Sequence, residues 1–215
     1  MMNLLILGAT GAVGSAYVEE ALMRGHRVTA ASRTPASAVR PHARLTQQRL
    51  DVLRTGAELV EAMQTHDVTL SALRPVAGNE AALVPMTRAV LSAAQTTATR
   101  LYVTGGAAPL FLTGGRGDTV LTAPGFLPPD IRPIAEACGA QDALLETFPD
   151  TDWICLRPAA LLLEAPRTGR YALGRDTLVT QDDGVSRISI ADFATAMLDL
   201  VELAPAPRQK LTVGW

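Results

Sequence analysis

The stretch Gly8-Ala9-Thr10-Gly11-Ala12-Val13-Gly14 limits what this chain can fold into more than any other. It follows a short apolar run, residues 3–7, and precedes a segment where Val13, Ala16, Tyr17, Ala21 and Leu22 recur at helical spacing up to an Arg24-Gly25 stop. A run that short, ending at glycine, suits a buried parallel strand, and the segment after it predicts a helix of about three turns. Glycines three apart at such a junction let a pyrophosphate reach the backbone without meeting a Cβ. The helix N-terminus adds unpaired N–H groups and a partial positive charge. The context implies a dinucleotide held by Gly8, Thr10, Gly11, Ala12, Val13 and Gly14, the alternative being a tight turn with no ligand.

Strands and helices go on alternating. Residues 28–31 and 45–50 read as the second and third strands, 55–64 as a helix with Leu59, Val60 and Met63 on one stripe, and 68–72 as the fourth strand. Pro85 fits the first turn of a helix running to about Ala94, and residues 101–104 make the fifth strand. Alternation at this range predicts right-handed crossovers and an α/β fold: a Rossmann-like, doubly wound parallel sheet in the order 3-2-1-4-5-6, with helices on both faces. The second half is less regular. Residues 105–132 hold much of the glycine and proline punctuation, including Gly114-Gly115-Arg116-Gly117 and Pro128-Pro129, and predict a long loop of the kind that carries function. Residues 134–147 read as a helix, 153–156 as a sixth strand, 171–180 as a hairpin, 190–203 as an amphipathic helix and 211–213 as a terminal strand.

Composition narrows the partners. The 215 residues, 48% hydrophobic and 19% charged, suffice for a large core without disulfide or metal staples. One domain, 1–215, is expected, with 1–104 its dinucleotide-binding half and 105–215 its acceptor-side half, and with a small C-terminal lobe over the cofactor. Nineteen basic against 21 acidic residues, with no basic run, make nucleic acid an unexpected partner. No apolar stretch approaches the roughly 18 residues a bilayer span needs, so no membrane association is expected. Cys138 and Cys155 show neither CxxC nor metal-ligand spacing and read as reduced thiols in a cytoplasmic protein. His26, His42 and His66 are scattered, so no metal is expected; His26 and His66 suit helix ends or turns, and His42 lies in a loop. Trp153 begins a strand and is expected in the core.

The glycine turn, Leu50-Asp51-Val52 and Ser71-Ala72-Leu73 together resemble the atypical short-chain dehydrogenase/reductases. More narrowly, Arg157-Pro158-Ala159, Arg167-Thr168-Gly169-Arg170-Tyr171 and residues 186–194 resemble the NAD(P)H-binding proteins known as NADH-flavin reductases, akin to biliverdin IXβ reductase and with NmrA-like relatives. The resemblance covers nearly the whole chain. It implies that Asp51 accepts from the adenine amino group beside the Val52 backbone, that Ala72 and Leu73 pass the cofactor's ribose, that Thr104 and Gly105 border the nicotinamide, and that Pro158 and Ala159 approach its carboxamide end. Asp51 as an ordinary helix N-terminal acid remains an alternative. So does a solvated loop role for Arg33.

NAD-selecting folds usually place an acid at the end of the second strand; this chain has Ser32-Arg33 there, and no Asp or Glu between Glu20 and Asp51. Arginine forks onto phosphate oxygens, so NADP(H) is the expected cofactor, with NAD(H) possible and flavin an acceptor rather than a prosthetic group. Arg74 is a further candidate for the cofactor phosphates. Arg116 and Arg132 could meet an anionic substrate or be solvated.

Carbonyl-reducing members of the superfamily use a tyrosine activated by a lysine four residues later. The residues four beyond Tyr17, Tyr102 and Tyr171 are Ala21, Gly106 and Arg175, and the sole lysine is Lys210. Tyr171 with Arg175 has the spacing but reads as structural. This departure puts alcohol dehydrogenation, epimerisation and dehydration in doubt. Flavins, quinones and linear tetrapyrroles delocalise the incoming charge and need no strong acid, so hydride transfer to such a small-molecule acceptor is expected, in a pocket between the long loop and the segment after Pro158. Thr104 is the one candidate for a catalytic side chain. The alternative is a non-enzymatic NADP(H)-binding redox sensor of the NmrA-like type, acting through a protein partner.

Overall fold

The structure is a computed structural model that describes residues 1–34, 42–114 and 117–215. At its centre β1 (Asn3–Leu7), β2 (Arg27–Ser32), β3 (Leu45–Arg49), β4 (Val68–Ser71), β5 (Arg100–Thr104) and β6 (Trp153–Arg157) lie in the order 3-2-1-4-5-6, all parallel. After β7 (Leu161–Leu163), β8 (Ala172–Gly174) and β9 (Arg187–Ser189) comes β10 (Gln209–Gly214), which runs parallel to β6 and extends the sheet; β8 closes that edge antiparallel to β10. β4 and β6 are buried at every position, as strands covered on both faces must be.

Two helical layers provide the cover. α1 (Ala12–Met23) packs against α5 (Ile190–Leu203) on one face, while α2 (Gly56–Gln64), α3 (Leu83–Thr97) and α4 (Arg132–Glu146) take the other. Strand periodicity sorts the core between them: Leu4 and Ile6 join the α1/α5 side, Leu5 and Leu7 the α2/α3 side. In β5, Tyr102 belongs to the α1/α5 side and Val103 to the other, so Thr104 turns back toward α1. α3 continues to Thr97, past the expected Ala94, as the hydroxyls of Thr96 and Thr97 bond the carbonyls of Ser92 and Ala93, and Ala98 then breaks it at φ +53°.

The hairpin expected at residues 171–180 does not form. Only β8 is extended, and its partner is β10. The return segment is occupied by Phe111 of the long loop, whose N–H donates to the Asp176 carbonyl at 2.7 Å while its own carbonyl accepts from Leu178 N–H at 2.9 Å. A small apolar cluster of Leu110, Val120 and Leu178, with Ala107, Leu112, Leu127 and Ala160, holds the long loop against the segment after Pro158. β7 and β9 pair in a separate two-stranded parallel sheet, while α5 and β10 belong to the main sandwich.

His26 is buried beyond the end of α1, accepting from Met2 N–H at 3.2 Å through Nδ1, with Nε2 2.9 Å from a Glu202 oxygen. His66 follows α2, its Nδ1 2.6 Å from the Ala62 carbonyl, and the His42 Nδ1 accepts from Arg44 N–H. Trp153 is buried and donates to the Phe148 carbonyl. Among the described residues no helix is long and apolar enough to cross a membrane.

Candidate functional site

The glycine turn folds back over the end of β2, with the N–H groups of Gly8 and Ala9 both donating to the Ala31 carbonyl at 3.0 and 3.2 Å. Gly8 has φ +78°, and a Cβ on it would lie 2.6 Å from the Ala72 carbonyl oxygen; a Cβ on Gly14 would lie 2.2 Å from the Gly8 carbonyl oxygen. Packing alone demands glycine at both positions. Gly11 differs, since its Cβ would meet only the Gly8 oxygen at 3.5 Å, an ordinary contact. α1 then starts with no capping side chain and no acid in its first turn, and no protein group accepts from the N–H of Ala12, Val13 or Gly14 among the described residues. This helix end therefore keeps its donors and its positive pole.

Gly8, Thr10 and Gly11 form one wall of a cleft of about 410 Å³ outside the carboxyl ends of the strands. Ser32 and Arg33 enter it from the end of β2, Asp51 and Val52 from beyond β3, and Ala72, Leu73 and Arg74 from beyond β4. The cleft straddles β1 and β4, where the winding of the sheet reverses and α/β folds bind ligands. Leu53, Arg54, Asn79 and Met86 also line it and were not expected. Arg33, Arg54 and Arg74 against Asp51 leave the lining net positive. The Asp51 carboxylate accepts from Leu53 N–H at 3.1 Å and stands 3.9 Å from the exposed Arg54 guanidinium, so it also serves its local turn. Ser32 Oγ donates to the Thr34 carbonyl at 2.7 Å.

Ala12, Val13 and Gly14 lie behind this cleft in the first turn of α1, while Thr104, Gly105, Pro158 and Ala159 lie apart from it at the ends of β5 and β6. Thr104 Oγ1 is 2.9 Å from the hydroxyl of Tyr17, which is fully buried and stacked on Phe193 with ring centroids 6.1 Å apart. Burial pushes the Tyr17 phenol well up, so it keeps its proton. A Cβ at Gly105 would press on Cys155 Sγ at 2.8 Å, and one at Gly106 on Cys138 Sγ at 2.6 Å. Burial raises the Cys138 thiol, with Arg74 partly opposing it.

Two buried charges without an assigned role in the sequence shape the far side. Arg157 donates to the Arg175 carbonyl at 2.6 Å and to Asp176 at 3.2 Å, anchoring the strand that leads into Pro158. Asp192 accepts from the backbone and hydroxyl of Thr168, from Gly169 N–H and from Trp215 Nε1. Burial alone would raise its carboxyl, but these bonds from Thr168, Gly169 and Trp215 outweigh it and hold the group below its ordinary range. The signal for Asp192 was present, since Ser189 three residues before it has the spacing of a helix cap, and Ser189 Oγ accepts from Asp192 N–H at 2.9 Å.

The remaining tyrosines are engaged elsewhere. Tyr102 donates to the Leu200 carbonyl at 3.0 Å, and Tyr171 donates to the Asp199 carboxylate. Lys210 sits between Asp142 and Glu146, 2.8 Å from each. Arg132 opens α4 and lies 3.9 Å from Glu136; Arg116 falls outside the described residues.

A family model described as NAD(P)H-binding matches residues 8–200. YwnB of Bacillus subtilis (strain 168), an uncharacterized protein, is 32% identical over 214 residues, 99% of this chain and 98% of its own. Similar solved structures include a “putative exported protein” of Burkholderia pseudomallei (TM-score 0.88, 31% identity, 100% of both chains). A “putative NADH-flavin reductase” of Streptococcus pneumoniae TIGR4 has TM-score 0.88 and 26% identity over 100% of this chain and 99% of that one. A “putative epimerase” of Bacteroides thetaiotaomicron has TM-score 0.89 and 30% identity over 99% and 96%. With the glycine turn, the open helix end and the sheet order, these matches establish that the chain belongs to the NAD(P)H-binding family, a Rossmann-fold, oxidoreductase-like group.

Proposed function

We propose that this protein is an NADPH-dependent reductase passing hydride to a flavin-like, quinone or other conjugated acceptor, with NADH the weaker cofactor. One observation carries this reading: a cleft suited to the cofactor stands, among the described residues, beside no acid suited to carbonyl chemistry. Every tyrosine hydroxyl is bonded within the protein, and the one lysine is held by two carboxylates.

The residues present fit a pyridine dinucleotide. The free amides of Ala12, Val13 and Gly14 hold its diphosphate, and the missing Cβ at Gly11, which nothing in the fold requires, leaves room for it. Arg33 and Arg54 meet the 2′-phosphate, Arg74 the diphosphate, and Asp51 with Val52 the adenine edge. Ala72 and Leu73 flank the ribose; Thr104, Gly105, Pro158 and Ala159 border the nicotinamide half. When bound, the nicotinamide supplies the hydride. The chain's task is then to align two planar groups within about 3 to 3.5 Å and exclude water, which an acceptor that delocalises charge allows without a strong acid. The name of the S. pneumoniae neighbour supports a flavin-like acceptor; the missing acid and base argue against the epimerase chemistry in the name of the B. thetaiotaomicron one.

Anaerobic mixing with NADPH and a panel of FMN, quinones and biliverdin, followed by loss of nicotinamide absorbance, tests the reading. Acceptor-dependent consumption with at least one of them is expected. Turnover with none, together with tighter binding of one redox form of the cofactor, would replace the reductase with a non-enzymatic sensor. Two free thiols suit a reducing cytoplasm, which cell fractionation checks against the exported name of the B. pseudomallei neighbour.

A further inference from the structure

Tyr17 and Thr104 come from α1 and β5, 87 residues apart in sequence, and their hydroxyls meet at 2.9 Å with no other partner for either among the described residues. Either oxygen could donate, but the surroundings are unequal. Tyr17 is fully buried against Phe193, so a phenol that accepted would leave its own O–H pointing into apolar side chains as an orphaned, desolvated donor. Thr104, at the carboxyl end of β5, is only half-buried, so a hydrogen on its Oγ1 is not forced into the core as the phenol's would be. Burial also keeps the Tyr17 proton in place. The phenol must therefore donate and the threonine accept, which turns the Thr104 hydrogen away from Tyr17.

We propose that Tyr17 is a positioning residue that aims the Thr104 hydroxyl as a hydrogen-bond donor at the carboxamide oxygen of the nicotinamide. This rests on the dinucleotide reading above. In the order 3-2-1-4-5-6, adenosine-side groups enter at the ends of β2 and β3 and the diphosphate meets the turn after β1. The second nucleotide half then extends past β4 to the ends of β5 and β6. Thr104 ends β5, and a neutral amide oxygen matches a single neutral O–H.

The experiment compares NADPH with 2′-phospho-ADP-ribose, which lacks the nicotinamide, binding to the wild type, Tyr17→Phe, Thr104→Val and the double variant. Thr104→Val is expected to weaken NADPH about 10-fold, the range of one neutral hydrogen bond, and Tyr17→Phe about 3-fold, since its threonine can still donate but is no longer aimed. The fragment binds all four proteins equally. Thr104→Val also lowers Tm by orphaning the phenol, and adding Tyr17→Phe restores Tm without restoring NADPH affinity. A merely structural pair would lose and regain both together. Wild-type NADPH affinity in the double variant, or equal losses for NADPH and the fragment, overturns the assignment while leaving the dinucleotide site standing. Wild-type protein that binds neither compound would remove the site itself.

Discussion

Under the proposed function, cofactor choice turns on Arg33 and Arg54, exposed residues that line the β2 and β3 end of the cleft together with the Asp51 carboxylate, 3.9 Å from Arg54. A hydrogen bond to a charged group is worth roughly 1.5–3 kcal/mol, so Arg33→Ala should weaken NADPH by about 10- to 100-fold and leave NADH nearly unchanged; an equal loss for both would remove the phosphate role. Arg54→Ala should show the same bias, more weakly. Asp192 acts on stability instead. Its carboxyl lies below the ordinary range in the folded protein, so its contribution is present above the unfolded value, about 3.9, and is lost as pH falls through the lower folded value. Asp192→Asn should destabilise the protein at pH 7 and flatten the acid limb of a Tm-against-pH curve; an unchanged limb would contradict this. Arg33 and Asp51 were legible because each sits at a fixed distance from a strand end. Arg157 and Glu20 were not, because a charged residue announces burial only through distant partners. Glu20 is buried against Arg24 and Arg167, the latter 147 residues away.

The turn before α1 separates the two uses of glycine. Gly14→Ala would force a methyl to 2.2 Å from the Gly8 carbonyl, and overpacking of that kind costs about 1–3 kcal/mol, or roughly 2–4 °C in Tm per kcal/mol at this chain length. Gly11→Ala has room in the protein and should leave Tm unchanged while nucleotide affinity falls. A Gly11→Ala protein that binds NADPH as the wild type does would mean that no diphosphate approaches there. Elements with local signals were readable: β1, β4, β5 and β6 are short, largely apolar runs stopped by turns, β3 is a mostly polar edge strand placed by its position in the alternation, and α5 spans Ile190–Leu203 as its periodicity predicts. The hairpin at 171–180 misled because local pattern cannot show that Phe111, far back in the long loop, occupies the backbone groups of the return segment. β7 and β9, three residues each, carry too little pattern to be seen.

Across the whole molecule, the first six strands take the order expected of a doubly wound dinucleotide-binding sheet once their alternation with helices and the glycine turn after β1 are recognised. The outer edge, where β10 and then β8 extend the sheet, depends on pairings that span α5 and two loops, and no short-range pattern encodes them. The cleft follows the same division. Its glycine wall and the ends of β2, β3 and β4 were legible, whereas Asn79 and Met86 reach it only through the path the chain takes into α3. A ligand that binds only the folded chain stabilises it by about 2.7 kcal/mol at a hundred times its Kd, so saturating NADPH should raise Tm by several degrees, and more than NADH does. Direct titration calorimetry of the unaltered protein asks the underlying question without any acceptor. Saturable one-to-one binding of NADPH, tighter than NADH and weakened by Gly11→Ala, is the expected result; no association of either nucleotide at millimolar concentration would contradict it.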